Sequence, residues 1–591
     1  MRRRDFIAGG LAAAVAPGHA VAQPAPAGPF SPAGQQRVID AHCHLFNILD
    51  VPAESFIKKV VLPNVVSAMG AGSHDYAALF QDPKFKGSFE VMLHMLAVAV
   101  SRKACEPDDE LWALDEMEHR GARPRNAQKV ESDLLKDILD EVWWPKVVGK
   151  QMKLGDRFVS FAALNQIKYL LRKEAFPGLS EQELRGMSAD EASDCREAAR
   201  VIYAERDGVF SRTIRWGLLF TRYRFQLAEE LQRLHGGSAR LKLMTPALVD
   251  FTAWFGPLGA DKGDRTVPMR RQVEVMARVA QRRNGPRVHG FVGFDPLRQA
   301  LFRQHGGPPE DEPLAVVKKA VEDHGFIGVK LYPPMGFRAT GNAALGSAFP
   351  PHVTAAQGLG PDAGRKLDAE LDRLYAFCTE NNVPIMAHTS DSYGSAKDYG
   401  KRANPAAWVK VLEKYPALRI NLAHFGGFNR GGTRENAEQS WGWAIGRAFA
   451  AAATPNVYAD ISFFSEVLHR SDEQRRYVTW LFKTFVERFP AAAQRLIYGS
   501  DWTMVGYADG FPARATAGHE KDQLYPDIVA DFLRRDVGFS ASQIDDVMFR
   551  NAVRFMGLGQ DQKAQGTRGR LEQFYLRAGL NAAWMQDFDR A

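Results

Sequence analysis

Two histidines one residue apart, in the stretch Ile39-Asp40-Ala41-His42-Cys43-His44, are the first residues of this sequence that could do chemistry together. Side chains at i and i+2 of an extended segment lie on one face, so His42 and His44 can share one metal ion. The pair alone is ambiguous, because two polar residues at a strand end read the same way. Three further candidates each close a short apolar run. His388 ends PIMAH, His424 ends INLAH and Asp501 ends LIYGSD. Lys330 and Tyr332 sit within GVKLYP. Four imidazoles and a carboxylate suit zinc, iron, manganese or cobalt. A metal so held lowers the pKa of bound water and polarises the oxygen of a scissile bond.

These residues can meet only if their apolar runs lie side by side. From about residue 240 short apolar runs alternate with stretches of helical periodicity. The runs are LKLMTP, RVHGFVGF, GFIGVKLY, VPIMAH, LRINLAH, NVYADIS and RLIYGSD, and VIDAHCH near the N-terminus makes eight. Eight strands alternating with helices predict an α/β fold, a closed parallel (β/α)8 TIM barrel. An open doubly wound sheet would carry a glycine-rich phosphate loop after its first strand, and IDAHCHLFN has none. A barrel gathers its chemistry at the carboxyl ends of its strands. All five candidates fall there, at one rim. Arg338, Arg430 and Glu466 follow the fourth, sixth and seventh strands and are candidates for the pocket wall.

The chain divides as follows. Residues 1–22 read as an export signal, 23–37 as a Pro/Ala/Gly linker and 38–49 as the first barrel strand. Residues 50–235 carry long helical stretches with few strand signals and predict a large helical insertion. Residues 236–560 form the rest of the barrel, and 561–591 a C-terminal helical extension. The N-terminus MRRRDFIAGGLAAAVAPGHAVAQ places basic residues before a short apolar run and Ala20-Val21-Ala22, the layout of a cleavable signal. Arg3-Arg4 followed by Asp5-Phe6 resembles the twin-arginine signal of bacteria, which implies a periplasmic or secreted protein exported already folded. The apolar run is short for a membrane span. A formal charge of +7 on 591 residues is a small excess, and no basic stripe with interleaved aromatics points to nucleic acid. The four cysteines, Cys43, Cys105, Cys195 and Cys378, are scattered and do not make a disulfide scaffold. The expected partner is a small-molecule substrate; a homodimer is compatible with this reading.

In order, IDAHCH, GFIGVKLYP, PIMAHTSD, NLAHFGG and IYGSDW resemble the amidohydrolase superfamily, in its amidohydrolase-related branch of metal-dependent hydrolases and decarboxylases. FRNAVRFMGL at 549–558 resembles the closing helix of that family. The resemblance covers the first strand and about residues 240–560; the insertion is much larger than a typical member carries. It implies that His42, His44, His388 and Asp501 hold one divalent metal, zinc before manganese, iron or cobalt. His424 would activate or orient the attacking water, or protonate substrate, and Asp501 would help deprotonate that water. Some members bridge two metals with a carboxylated lysine on the fourth strand. For Lys330 an anion-binding role towards substrate is preferred and a second metal is not expected. The function implied first is hydrolysis of a C–N or C–O bond, in an amide, lactone or ester, through a metal-activated water. The alternatives are non-oxidative decarboxylation of a small carboxylic acid, and a non-catalytic binding protein on a barrel scaffold.

Overall fold

Eight short strands rich in apolar residues are buried almost without exception, as strands covered on both faces must be. They are β1 (Val38–Cys43), β2 (Leu241–Pro246), β3 (Phe291–Gly293), β4 (Gly328–Leu331), β5 (Ile385–His388), β6 (Ile420–Ala423), β7 (Val457–Asp460) and β8 (Leu496–Ile497). The structure, a computed structural model, describes residues 36–589 except 57–82, 120, 122–126, 144–145, 149–150, 155–156, 160, 176–208, 257–265, 347, 393, 430–432, 452–453, 469–471, 509–522 and 563–565. The expected export signal and most of the linker lie outside the described residues.

Pairing is parallel throughout the eight. β1 pairs with β2, and β3 through β8 pair in sequence order. Bridges between Met244 and Val288 and between Ala247 and Phe291 join β2 to β3. The Ala41 N–H donates to Tyr498 O at 3.2 Å and the Asp501 N–H to His42 O at 2.7 Å, joining the chain at β8 back to β1. The ring is therefore closed, and the barrel expected from the alternating pattern is the observed fold. Helices fill the connections where the periodicity places them, among them Met269–Ala280, Pro313–Asp323, Ala363–Glu380 and Asp472–Arg488. Asp295 starts one of them by accepting from the Leu297 N–H at 3.0 Å, with Pro296 in the first turn.

Between β1 and β2 the chain is mainly helical. Helices Pro83–Lys103, Ala127–Trp143, Phe161–Ala175 and Val209–Leu219 share an apolar core of their own, built on Phe89, Met92, Leu135, Ile138, Ile167 and Ile214. One expectation is corrected here. The helical reading of LLKDILDEVWWPKVVG stops at Trp143, and Lys146–Val148 opens a three-stranded antiparallel sheet with Gln151–Leu154 and Arg157–Val159. Pro145 has no N–H to continue the helical ladder, and the β-branched pair Val147-Val148 favours the strand. The predicted helical stretches SEQELRGM and ASDCREAARVIYAERDG lie outside the described residues. At the amino-terminal end of the barrel Phe549 and Phe555 join Ile39, Phe291, Met386 and Ile497 in one apolar cluster. Cys43, Cys105 and Cys378 are buried and form no disulfide among the described residues. Among the described residues no helix is long and apolar enough to cross a membrane.

Candidate metal centre

His42 and His44 leave the end of β1 with their rings 5.4 Å apart, edge to face. Gly499 allows the chain after β8 to pass close beside them: a Cβ there would meet the His42 Cβ at 2.8 Å. The following Asp501 has φ +56, a left-handed conformation held by its bond to His42 O. His424 begins a run of left-handed residues, His424 through Asn429, with φ between 47 and 80. Four of those six are not glycine, and such residues cost of order 1 kcal/mol or more each. The turn aims the His424 N–H at Asp460 Oδ1, 2.9 Å away.

The side chains converge. Potential ligand atoms of His42, His424 and Asp501 lie within 4.8 Å of one another, all buried. The rings of His42 and His424 are 4.8 Å apart, and those of His388 and His424 are 4.4 Å apart. His44 Nε2 stands 3.1 Å from Asp501 Oδ1. Asp460, at the end of β7, is the hub beneath them. Its Oδ2 accepts from Asn421 Nδ2 at 2.7 Å and lies 3.0 Å from His42 Nδ1. Its Oδ1 accepts from the N–H groups of His424 and Ser462 and from the Ser462 hydroxyl.

These contacts fix where the protons are. Asp460 has none to give, so His42 carries its proton on Nδ1, and Nε2 is unprotonated, its lone pair facing Lys330 Nζ at 2.9 Å. His44 stands between two acceptors, the Ala247 carbonyl oxygen 2.8 Å from Nδ1 and Asp501 Oδ1 3.1 Å from Nε2; a neutral ring that donates to the closer one leaves Nε2 bare. The Asp501 Oδ1 beside it is therefore offered no proton, and among the described residues it is a buried oxygen without a hydrogen-bond partner. Such an atom is costly unless something cationic satisfies it. Bare imidazole nitrogens facing a carboxylate, each held from behind by a carboxylate or a carbonyl, are the donor set a divalent metal takes. The residues present fit that group.

Charge points the same way. Burial pushes His424 down to about 3 and His388 well below the usual imidazole range, the latter helped by its neighbour His424. Burial, then the Lys330 ammonium, also lowers His42. Burial raises Asp501, but the histidines around it, His44 first, outweigh it wherever they carry a proton towards it and bring the carboxyl to about 2. In Asp460 burial is likewise overcome, by His42 first, and its carboxyl lies well below the usual range. Neutral imidazoles around two carboxylates leave a negative pocket.

Lys330 is buried, its Nζ 2.9 Å from His42 Nε2 and 3.5 Å from Met386 Sδ. Burial lowers its ammonium to about 8. It touches the histidine cluster directly. Tyr332 is half-buried, its ring 4.6 Å from that of His388, and burial raises its hydroxyl to about 12. His388 Nε2 lies 2.7 Å from Ser392 Oγ. Glu466 is buried in the turn Ser465–Val467 after β7. Arg338 is exposed, its backbone N–H held by Asn342 Oδ1, and none of its described contacts reaches the histidines. Arg430 lies outside the described residues. The sequence reading passes over Asp460 and Ser462. Asp460 carries the same signal as Asp501, a lone acid closing an apolar run; Ser462 carries none. It also passes over Asp40, behind the site. Asp40 accepts from the Ser500 hydroxyl and N–H at 2.6 and 2.9 Å, and burial raises its carboxyl to about 7.

A scan of family models matches residues 272–558 to the amidohydrolase family. Over that segment, just under half of the chain, the sequence is similar to the amidohydrolase family. No curated protein matches it in sequence. Among solved structures it is similar to an amidohydrolase from Burkholderia multivorans, 14% identical, over 58% of this chain and 91% of that one, TM-score 0.36. It is also similar to a manganese-bound dihydroxybenzoic acid decarboxylase from Polaromonas, 15% identical, over 54% and 82%, TM-score 0.29. A third is a manganese-bound 5-carboxyvanillate decarboxylase from Novosphingobium aromaticivorans, 11% identical, over 66% and 93%, TM-score 0.30.

Proposed function

We propose that the chain is a metal-dependent hydrolase that cleaves a C–N or C–O bond in an amide, lactone or ester with an activated water. The observation that carries this reading is the convergence of the Nε2 atoms of His42 and His44 on Asp501 Oδ1, 3.8 and 3.1 Å away, a buried oxygen without a hydrogen-bond partner among the described residues. His42, His44, His388 and Asp501 would hold one divalent ion, which supplies Lewis-acid polarisation of the substrate oxygen and a more acidic water. The protein does the rest. His424 is neutral at working pH and sits against both His42 and His388. It takes the proton of the attacking water and returns it to the leaving nitrogen or oxygen. Asp460 keeps His42 oriented through Nδ1 and His424 through its backbone N–H. Tyr332 over His388, and Phe46 with its ring 5.6 Å from that of His44, are half-buried and limit water at the mouth.

The test is metal content by mass spectrometry for the full chain and four variants, followed by turnover of ester, lactone and amide panels. We expect about one divalent ion per chain, lost in His42→Ala, His388→Ala and Asp501→Ala. His424→Gln should keep the ion and lose at least about a hundredfold in turnover, the usual scale of general acid–base help. An ion lost in His424→Gln and kept in His388→Ala would exchange the two assignments. Carbon dioxide release without hydrolysis of any panel member would replace this reaction with decarboxylation.

A further inference from the structure

Ser462 is fully buried two residues beyond Asp460, and three site groups crowd its single hydroxyl. Its Oγ lies 2.5 Å from Asp460 Oδ1, 2.9 Å from His424 Nδ1 and 3.0 Å from His42 Nδ1. A serine hydroxyl has one proton to give and two lone pairs to receive with. The Asp460 carboxylate cannot donate, so the close Oγ–Oδ1 contact requires the serine proton between them. Placing that proton on either imidazole instead would leave two bare oxygens facing each other at 2.5 Å. With the proton spent on Asp460, the serine can only receive from the histidines. His42 Nδ1–H then divides between Asp460 Oδ2 and Ser462 Oγ, both at 3.0 Å. His424 Nδ1–H has Ser462 Oγ as its acceptor. The Ser462 carbonyl oxygen, 3.4 Å from the same nitrogen, also accepts only from an N–H.

We propose that Ser462 is a positioning residue that sets the tautomer of His424, holding the proton on Nδ1 so that Nε2 is bare towards the site. The two histidines are not equally dependent on it. His42 keeps a second acceptor in Asp460 Oδ2, whereas among the described residues His424 Nδ1 without Ser462 Oγ retains only the long contact to the backbone carbonyl. The hydroxyl therefore acts mainly on the histidine that moves the proton. A proton acceptor with the wrong nitrogen protonated cannot accept, whatever its position. The consequence for turnover rests on the hydrolase reading above; the tautomer does not.

The experiment is 15N NMR of the full chain, metal-free, with 15N-labelled histidine, in which protonated and bare ring nitrogens resonate far apart. The His424 signals are assigned by their loss in His424→Gln. In the unsubstituted protein we expect His424 with Nδ1 protonated and Nε2 bare. In Ser462→Ala a substantial fraction of His424 should shift to the opposite tautomer while His42 stays as it was, and Ser462→Thr, which restores a hydroxyl, should restore the first pattern. An unsubstituted protein with the proton of His424 on Nε2 overturns the proposal, even if Ser462→Ala fails to fold. So does an unaltered His424 signal in a folded Ser462→Ala. Because the protein carries no metal in this measurement, its result stands whether or not hydrolysis is later found.

Discussion

Lys330 is the one residue of the site whose charge opposes the rest. Its ammonium takes up the lone pair of His42 Nε2 at 2.9 Å, the atom a metal would need. Burial already lowers it to about 8, so the fold does not favour a charge there, and the carboxylates of Asp460 and Asp501 retain it. A dication and an ammonium within about 4 Å repel by several kcal/mol even at an effective dielectric near 20. Lys330→Met keeps the length and apolar stem and removes the competing cation. We expect the variant to bind divalent metal about tenfold more tightly or better, measured by competition with a chromophoric chelator, while turnover falls if the ammonium meets an anionic substrate. Weaker binding in Lys330→Met would mean that the lysine supports the ion, as a carboxylated bridge would, and would reopen a two-metal centre.

At the level of elements, the insertion is fastened to the barrel at several places, among them Arg278 with Asp115 and Glu118 at 2.8 Å, and one of them lies beside the site. Helix Val209–Leu219 lies against the loop after β8: Trp216 Nε1 donates to Thr503 O at 2.9 Å, and Thr213 Oγ1 meets the Tyr507 hydroxyl at 2.9 Å. Asp501 is the residue that opens that loop. Within the insertion and at its junction with the chain leaving β1, Arg224 is fully buried between Glu110 Oε2 at 2.6 Å and Asp50 Oδ1 at 2.5 Å. It ties helix Pro107–His119 and the turn after β1 to helix Arg224–Leu234. Burial raises both carboxyls even with the guanidinium present. Arg224→Met therefore leaves two carboxylates in an apolar setting and should cost about 3–5 kcal/mol, read from the urea midpoint. Adding Asp50→Asn and Glu110→Gln should recover most of it; a single variant as stable as the parent would show that the triad fastens nothing. None of this was legible in the sequence, because Asp50, Glu110 and Arg224 look like ordinary charges on helix faces. The strands were legible because a buried parallel strand leaves an unbroken apolar run, and the last residue of each run names the rim. So His388, His424 and Asp501 could be read from pattern. Ser462 could not, since it is one small polar residue among Phe463, Phe464 and Ile461, and its role exists only where β1, β6 and β7 meet.

On the scale of the whole molecule, the barrel is open to chemistry at one end and sealed at the other. The seal is the C-terminal segment, helix Thr567–Arg577 and turn Ala583–Phe588, which Arg568 binds to the barrel end by donating to Leu558 O and Met585 O at 3.1 and 2.7 Å. His289, just before β3, is buried in that contact. Its ring stacks on Trp584 at 5.6 Å, its Nδ1–H donates to Gly325 O at 2.7 Å, and its Nε2 meets the Tyr575 hydroxyl at 2.9 Å. Burial is the main reason its pKa lies at about 4, below the usual 6.5, and Arg287 adds to it. A histidine whose folded pKa is depressed gives its full stability above the unfolded value. That stability is lost as pH falls from 6.5 towards 4, because only the unfolded chain takes up the proton in that window. The full effect is about 3 kcal/mol and about 2 kcal/mol is lost by pH 4.5. His289→Gln preserves a donor and an acceptor and cannot titrate. It should be the less stable protein at pH 7 and lose about 2 kcal/mol less than the parent on acidification to pH 4.5, measured as paired urea unfolding curves. Parallel losses in the two proteins would place the acid sensitivity elsewhere. Fluorescence of Trp584 through the transition would show whether the seal opens before the barrel does.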